Sequence, residues 1–360
     1  MKGMGNRITI GSHEIGPGRP AFLIAEAGVN HDGDMEKAKR LIDAAKDSSA
    51  DAVKFQSFVT ERLIRRDAPK AAYQDRNIGA ATSQFAMLKQ LELTQDQAAM
   101  LKRYAEGKSI LFLSTAYDPI AVDELEAIGV AAYKLASIET VNHPLIRRTA
   151  RTGKPVILSV GMATEAEVAA AVAAFRDEAA DAGTLAGNLI LLQCNTNYPA
   201  APEDQHLRAM ESLRRFVPVV GFSDHTEGDT VAIGAIALGA NVIEKHFTLN
   251  RNDPGPDHKA SMEPDAFRAL VGAVRVMERA LGSPDIVPRG GEKENIVGMR
   301  KSISAARDIP RGTVITEDML TAKRPGNGLY ATDDNLAKII GRRAARDIRL
   351  DENILLADVA

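Results

Sequence analysis

Between positions 21 and 282 the chain alternates eight times between a short apolar run and a stretch long enough for a helix, and few folds accommodate that rhythm. The apolar runs fall at 21–28 (AFLIAEAG), 52–58 (AVKFQSF), 110–116 (ILFLSTA), 131–137 (AAYKLAS), 155–161 (PVILSVG), 189–195 (LILLQCN), 218–224 (PVVGFSD) and 242–248 (VIEKHFT). Amphipathic stretches at 35–49, 94–107, 164–179, 230–240 and 263–282 separate or follow them, several opened by Thr, Asp or Pro and closed by Gly. Eight such pairs in about 260 residues predict a parallel (β/α)8 TIM barrel. A doubly wound open sheet is the main rival. It uses fewer strands, however, and places a Gly-rich phosphate turn after the first, where this chain has EAGVNH.

The flanks read differently. Residues 1–19 alternate weakly around Ile8, Ile10 and Ile15 and break at Gly and Pro, which predicts a hairpin ahead of the barrel and a first domain spanning 1–282. Residues 283–298 are rich in Pro, Gly and charge and read as a linker, and 299–360 form a small module of short apolar runs without a long helix. Such a module lies near the lower limit for an independent core. A long polar insertion at 59–83 suits a lid or a structural cover equally well.

A net charge of −3 gives no electrostatic case for nucleic acid or an anionic membrane. No apolar run approaches a membrane span and no signal region opens the chain, so a cytoplasmic protein is expected. The single Cys, Cys194, excludes an internal disulfide and reads as a small buried residue.

Chemistry gathers where the runs end. Their C-terminal ends present Glu26; Lys54 and Gln56; Ser114 and Thr115; Lys134, Ser137 and Glu139; Ser159; Asn195, Thr196 and Tyr198; Ser223, Asp224 and His225; and Glu244, Lys245 and His246. In a parallel barrel these all meet at one rim. One His there is more often a hydrogen-bonded structural residue, but His225 and His246 end successive strands, each beside an acid, and together suit a divalent cation. Lys54 and Lys134 either meet an anion or pair with Glu26, Glu139 or Glu244. With the rim hydroxyls and a metal they describe a pocket for a small dianion such as a phosphoester. Gln56, Tyr198 and Asp257 are candidate partners for a second, hydroxylated substrate.

Seven ordered motifs, EAGVNHDG (26–33), KFQ (54–56), LQCNTNYP (192–199), FSDHT (222–226), IEKHF (243–247), GPDHKAS (255–261) and KRPGNG (323–328), resemble those of the bacterial sialic acid synthases. The closing 60 residues or so resemble that family's antifreeze-like (SAF) domain. The chain departs from the usual family pattern at ASIE (136–139) and at LYA (329–331).

The resemblance implies condensation of phosphoenolpyruvate with N-acetylmannosamine and water to give N-acetylneuraminate and phosphate. A 2,4-diacetamido-6-deoxy acceptor of the legionaminate type is the alternative. It implies Mn2+ or Mg2+ on His225 and His246. Phosphoenolpyruvate would be held by Lys54, Thr115, Lys134, Ser137, Ser159 and Ser223, with Asn195 or Thr196. The sugar would meet Gln56, Tyr198, Asp257 and, from a partner subunit in a domain-swapped homodimer, Arg324. Glu139 is expected to act as the acid/base group, with Glu26 second. The rival functions are a Schiff-base aldolase built on Lys134 or Lys54, and a sugar-binding scaffold without chemistry.

Overall fold

A computed structural model describes residues 7–70, 83–183 and 187–360. The chain divides into two units, one ending at Gly282 and one beginning at Ser283. In the first, all eight predicted runs are parallel strands: β3 (Phe22–Gly28), β4 (Ala52–Ser57), β5 (Leu111–Ala116), β6 (Tyr133–Leu135), β7 (Val156–Ser159), β8 (Leu189–Cys194), β9 (Val220–Asp224) and β10 (Val242–His246). They close into a barrel in sequence order, with β10 beside β3. The hairpin β1 (Ile8–Ile10) and β2 (His13–Ile15) precedes it.

Two-residue periodicity along the strands sorts their side chains. Ile24, Ala52, Leu113, Ile157, Ile190, Leu192 and Val242 form one buried cluster with Ile8, Ile10 and Ile15 of the hairpin. That cluster is the barrel interior, and the hairpin closes its lower end. The alternate residues, among them Leu23, Val53, Phe112, Val156, Leu191 and Ile243, pack instead against the helices in a larger second cluster.

The helices form where their caps permit. Thr94 and Thr164 each make a reciprocal capping box with the residue three positions on, Gln97 and Glu167. Asp118 caps Pro119–Ile128, which Gly129 ends in a left-handed conformation at φ 75°. The insertion after β4 contributes the short helices Thr60–Leu63 and Gln84–Lys89, and its stretch 71–82 lies outside the described residues.

In the second unit β11 (Ser302–Ala305) pairs antiparallel with β12 (Leu320–Lys323). Ile303, Ile309, Ile315, Ile339, Ile348 and Ile354 give this small module its own apolar core. The stretch read as a linker is not wholly irregular: Glu292–Met299 is helical, with Glu292 and Glu294 in the first turn, where negative charge favours a helix N-terminus. Among the described residues no helix is long and apolar enough to cross a membrane.

Candidate active site

Strand parity carries directly to the rim. Glu26 is in phase with Ile24, Lys54 with Ala52, Thr115 with Leu113, Ser159 with Ile157, Cys194 with Leu192, and Glu244 and His246 with Val242. Each therefore points inward above the barrel core. Together with Lys134, Ser137, Thr196, Tyr198, Ser223, His225, Gln56 and Asp257 they line one cavity of about 370 Å3.

Two lysines and two carboxylates form its floor. Lys54 Nζ lies 2.5 Å from Glu26 Oε2 and 3.7 Å from Glu244 Oε1, and donates to Thr115 Oγ1 at 3.0 Å. Lys134 Nζ lies 3.6 Å from the same Glu244 oxygen, to which Ser223 Oγ donates at 3.2 Å. Both readings of the lysines thus hold in part: they pair with acids, yet two cations share the oxygen of one acid. Burial lowers the Lys134 ammonium below its usual range. Burial also raises the Glu26 carboxyl to about 7 against the pull of Lys54, and Glu244 raises it further. Burial works the same way on Glu244, but Lys134 and Lys54 outweigh it and keep that carboxyl low.

Above the floor, the His225 and His246 rings lie 5.3 Å apart between centroids, and Tyr198 packs on both, at 4.0 and 5.5 Å. His225 Nδ1 donates to Asn195 O, which leaves Nε2 as its acceptor nitrogen. Burial holds the His246 imidazole well below its usual range, hence neutral, and its Nδ1 has no protein partner. Burial lowers the His225 imidazole, but the Cys194 sulfur and the Asn195 carbonyl outweigh it and hold that ring above its usual range. Both rings line the one cavity, and the unpartnered His246 Nδ1 with His225 Nε2 is the donor type that suits a divalent cation.

Four buried polar atoms lining this cavity lack any hydrogen-bond partner: Ser159 Oγ, Glu244 Oε2, His246 Nδ1 and Asp257 Oδ1. Burial raises Asp257 to about 6, opposed by His225 and His258. Buried polar groups in folded proteins are mostly satisfied. Unpartnered atoms also occur away from the cavity, at Asn30, His31, Thr60 and Gln205, but the four lining atoms face one shared space, as the lining of a ligand site does.

Three of the expected site residues stand outside the cavity lining. Glu139 does not line the cavity. It lies on the 3-10 turn Ser137–Val141, and its Oε2 accepts from Asn142 Nδ2 at 2.6 Å, beside the helix that Asn142 caps. Asn195 is out of phase with Cys194, so its side chain leaves the mouth to bond Asp204 O and Asn197 N. Its contribution is the carbonyl that orients His225, whereas Thr196 does reach the cavity. Arg324 stands exposed just after β12 in the second unit.

Parity also removes Lys245 from the pocket. It pairs on the outer face with Asp224 Oδ2 at 2.7 Å and donates to Thr226 O at 2.8 Å.

A second group of possible metal ligands, Asp32, Asp253 and His258, was not anticipated. Lys37 Nζ lies 2.5 Å from Asp32 and 2.6 Å from Asp253, so an ammonium already serves both carboxylates. His258 Nε2 lies 3.1 Å from Asp32, and Asn30 Nδ2 donates to Phe247 O and Ser261 Oγ. These bonds brace the loops after β3 and β10, the latter carrying Asp257. Sequence spacing gives no hint of the group, because its members come from two loops more than 200 positions apart.

The sequence profile of the NeuB family matches residues 41–285, and that of the SAF domain matches 300–360. The chain is 38% identical over 351 residues to N,N'-diacetyllegionaminic acid synthase of Legionella pneumophila, covering 97% of this chain and 98% of that one. It is 35% identical over 350 residues to human N-acetylneuraminate-9-phosphate synthase, covering 95% of each. The crystal structure of N-acetylneuraminic acid synthetase from Leptospira borgpetersenii superposes with a TM-score of 0.70 at 33% identity, over 82% of this chain and 97% of that one.

Proposed function

The chain belongs to the NeuB family, and from that membership and the cavity at the barrel mouth we propose that it joins phosphoenolpyruvate to an N-acetylated mannose-type aldose. The acceptor is N-acetylmannosamine or its 2,4-diacetamido-6-deoxy counterpart, and the product is the corresponding nonulosonate. The observation that carries this reading is the set of unpartnered buried atoms on a floor with two lysines. A dianion seated there gives Lys54 and Lys134 a second anionic partner and Ser159 a bond.

In the reaction, C3 of phosphoenolpyruvate attacks the aldehyde carbon of the open-chain sugar, and the aldehyde oxygen becomes a hydroxyl. Water then adds at C2, the bond between C2 and the phosphate oxygen breaks, and a keto acid and phosphate leave. Glu26 takes the acid/base role in place of Glu139, since it lines the cavity and its raised carboxyl exchanges a proton near neutral pH. Lys54 and Lys134 hold the phosphate and carboxylate, with Thr115, Ser137, Ser159, Thr196 and Ser223. Gln56, Tyr198 and Asp257 orient the sugar.

His225 and His246 would hold Mn2+ or Mg2+, which when bound polarises the aldehyde oxygen. Arg324 of a partner subunit in a swapped dimer completes the sugar site, and the reaction runs in the cytoplasm.

The test is phosphate release on mixing the full-length protein, phosphoenolpyruvate, an acceptor and Mn2+. Release should require the acceptor and vanish in His225→Ala and His246→Ala. A borohydride-trapped adduct on either lysine, with activity surviving a chelator, would instead establish the Schiff-base aldolase.

A further inference from the structure

We propose that Asp32 and His258 are positioning residues for the acceptor: bonded to each other across the loops after β3 and β10, they set the direction of the Asp257 carboxylate. This rests on the reading just given, in which Asp257 meets the sugar, and it adds two residues that stand outside the cavity lining.

The Asp257 carboxylate takes its direction from its backbone. It lines the cavity with Oδ1 unpartnered, so no bond at that oxygen fixes its angle. Two sets of bonds hold the backbone around it. The first acts on Asp257 itself: its carbonyl accepts from Ser261 Oγ at 2.7 Å and from Ala260 N at 3.2 Å, and Asn30 Nδ2 donates to that Ser261 hydroxyl at 2.9 Å.

The second acts on the next residue. His258 is fully buried, with Nε2 at 3.1 and 3.2 Å from the two carboxylate oxygens of Asp32. An ionised carboxylate only accepts, so Nε2 carries a proton and donates it. Burial raises the Asp32 carboxyl, but the bonds from His258 and Lys37 outweigh it and hold the group below its usual range, hence ionised. His258 Nδ1 lies 2.6 Å from Thr248 Oγ1. With both nitrogens engaged, the ring cannot turn without breaking a buried bond.

Asp32 is fixed in its turn. Its backbone is left-handed at φ 53°, a region that Asp tolerates better than most residues. Lys37 Nζ, on the helix Met35–Asp47, bridges Asp32 Oδ2 and Asp253 Oδ2 at 2.5 and 2.6 Å. The loop carrying Asp257 runs hard against the pair: a Cβ on Gly255 would lie 2.6 Å from His258 Cδ2 and 3.2 Å from Asp32 Oδ1. Release of His258 therefore frees the backbone next to a sugar-orienting group, where a misplacement of about 1 Å costs about 100-fold in rate.

A brace that only stabilised the barrel would act on both substrates, whether or not Asp257 were present. A double-mutant cycle separates that role from positioning.

The experiment measures steady-state kinetics of the Mn2+-loaded full-length protein with phosphoenolpyruvate and either proposed acceptor. The variants are His258→Gln, Asp32→Asn and the milder Thr248→Val, which deletes one hydroxyl and keeps the shape, each made with and without Asp257→Ala. Each single variant should lower kcat/KM for the acceptor, by about 10–100-fold in His258→Gln and Asp32→Asn, with KM for phosphoenolpyruvate unchanged. In the Asp257→Ala background the same substitutions should add almost nothing. Equal losses with and without the Asp257 side chain overturn the inference alone, as does a rise in KM for phosphoenolpyruvate matching that for the acceptor, or unchanged kinetics in Thr248→Val and Asp32→Asn. If Asp257→Ala by itself leaves kcat/KM for the acceptor intact, or neither acceptor releases phosphate in the unsubstituted protein, the underlying reading fails and the inference with it.

Discussion

Replacing Glu26 by Gln should make the barrel more stable while removing its activity, and the gain should depend on pH in a defined way. Burial sets the Glu26 carboxyl at about 7 in the folded protein against 4.5 for the free group, with Lys54 at 2.5 Å opposing the rise. A carboxyl whose folded value is raised contributes its stability in the protonated form. That contribution is complete below pH 4.5 and is lost as pH climbs through 7. The full loss corresponds to about 3 kcal/mol, reached above pH 8. Gln reproduces the neutral form at every pH, so Glu26→Gln should gain only about 1 kcal/mol at pH 5.5 and about 3 kcal/mol at pH 8.5. Denaturant unfolding of both proteins at these two pH values, following the barrel transition, measures the difference. In the same variant kcat should fall by about 10²- to 10⁴-fold, the span expected for a lost acid/base group. A gain equal at both pH values, or a loss of stability at pH 8.5, would show that Glu26 is an ordinary ionised partner of Lys54 and would sink its acid/base role.

Gly161 offers a steric test. A Cβ built there lies 2.9 Å from both Ser137 Oγ and Thr196 Cγ2, and the Gly161 N–H donates to that same Ser137 hydroxyl. Gly161→Ala should therefore displace two proposed phosphoenolpyruvate contacts and raise KM for that substrate about tenfold, at a stability cost of about 1–3 kcal/mol typical of overpacking. An unchanged KM would remove Ser137 and Thr196 from the anion site. For Arg324→Ala the expected outcome is a higher KM for the sugar with KM for phosphoenolpyruvate nearly intact, measured by steady-state kinetics. An unaffected sugar KM would refute the proposed role of Arg324.

Much of the architecture was legible because two periodicities coincide in this chain. Apolar runs at helix-length intervals locate the eight strands, and within each run the parity of a residue fixes whether it faces the barrel interior. Lys54 and Glu244 follow Ala52 and Val242 by two positions, and that spacing alone places them inward. The same parity, carried one residue beyond β8, would have turned Asn195 away from the mouth in favour of Thr196.

Parity does not place Glu139. It follows the end of β6 on a turn, where period-two reasoning lapses, and a local bond to Asn142 decides its direction. The Lys37 brace was invisible because it joins residues more than 200 positions apart. The cluster around Val29 was hidden too: Leu63 sits on a short helix inside the insertion read as polar, Met87 and Leu88 on the helix that follows it, and only the fold brings them together.

The central claim is that His225 and His246 hold the cation of a catalytic mouth, while Asp32, Asp253 and His258 form a brace completed by Lys37. Anomalous diffraction at the manganese edge, from crystals grown with Mn2+ and phosphoenolpyruvate, distinguishes the two places directly. The account predicts one strong peak within bonding distance of both imidazoles. A peak confined to the Asp32, Asp253 and His258 group, with none between the two rings, would contradict it.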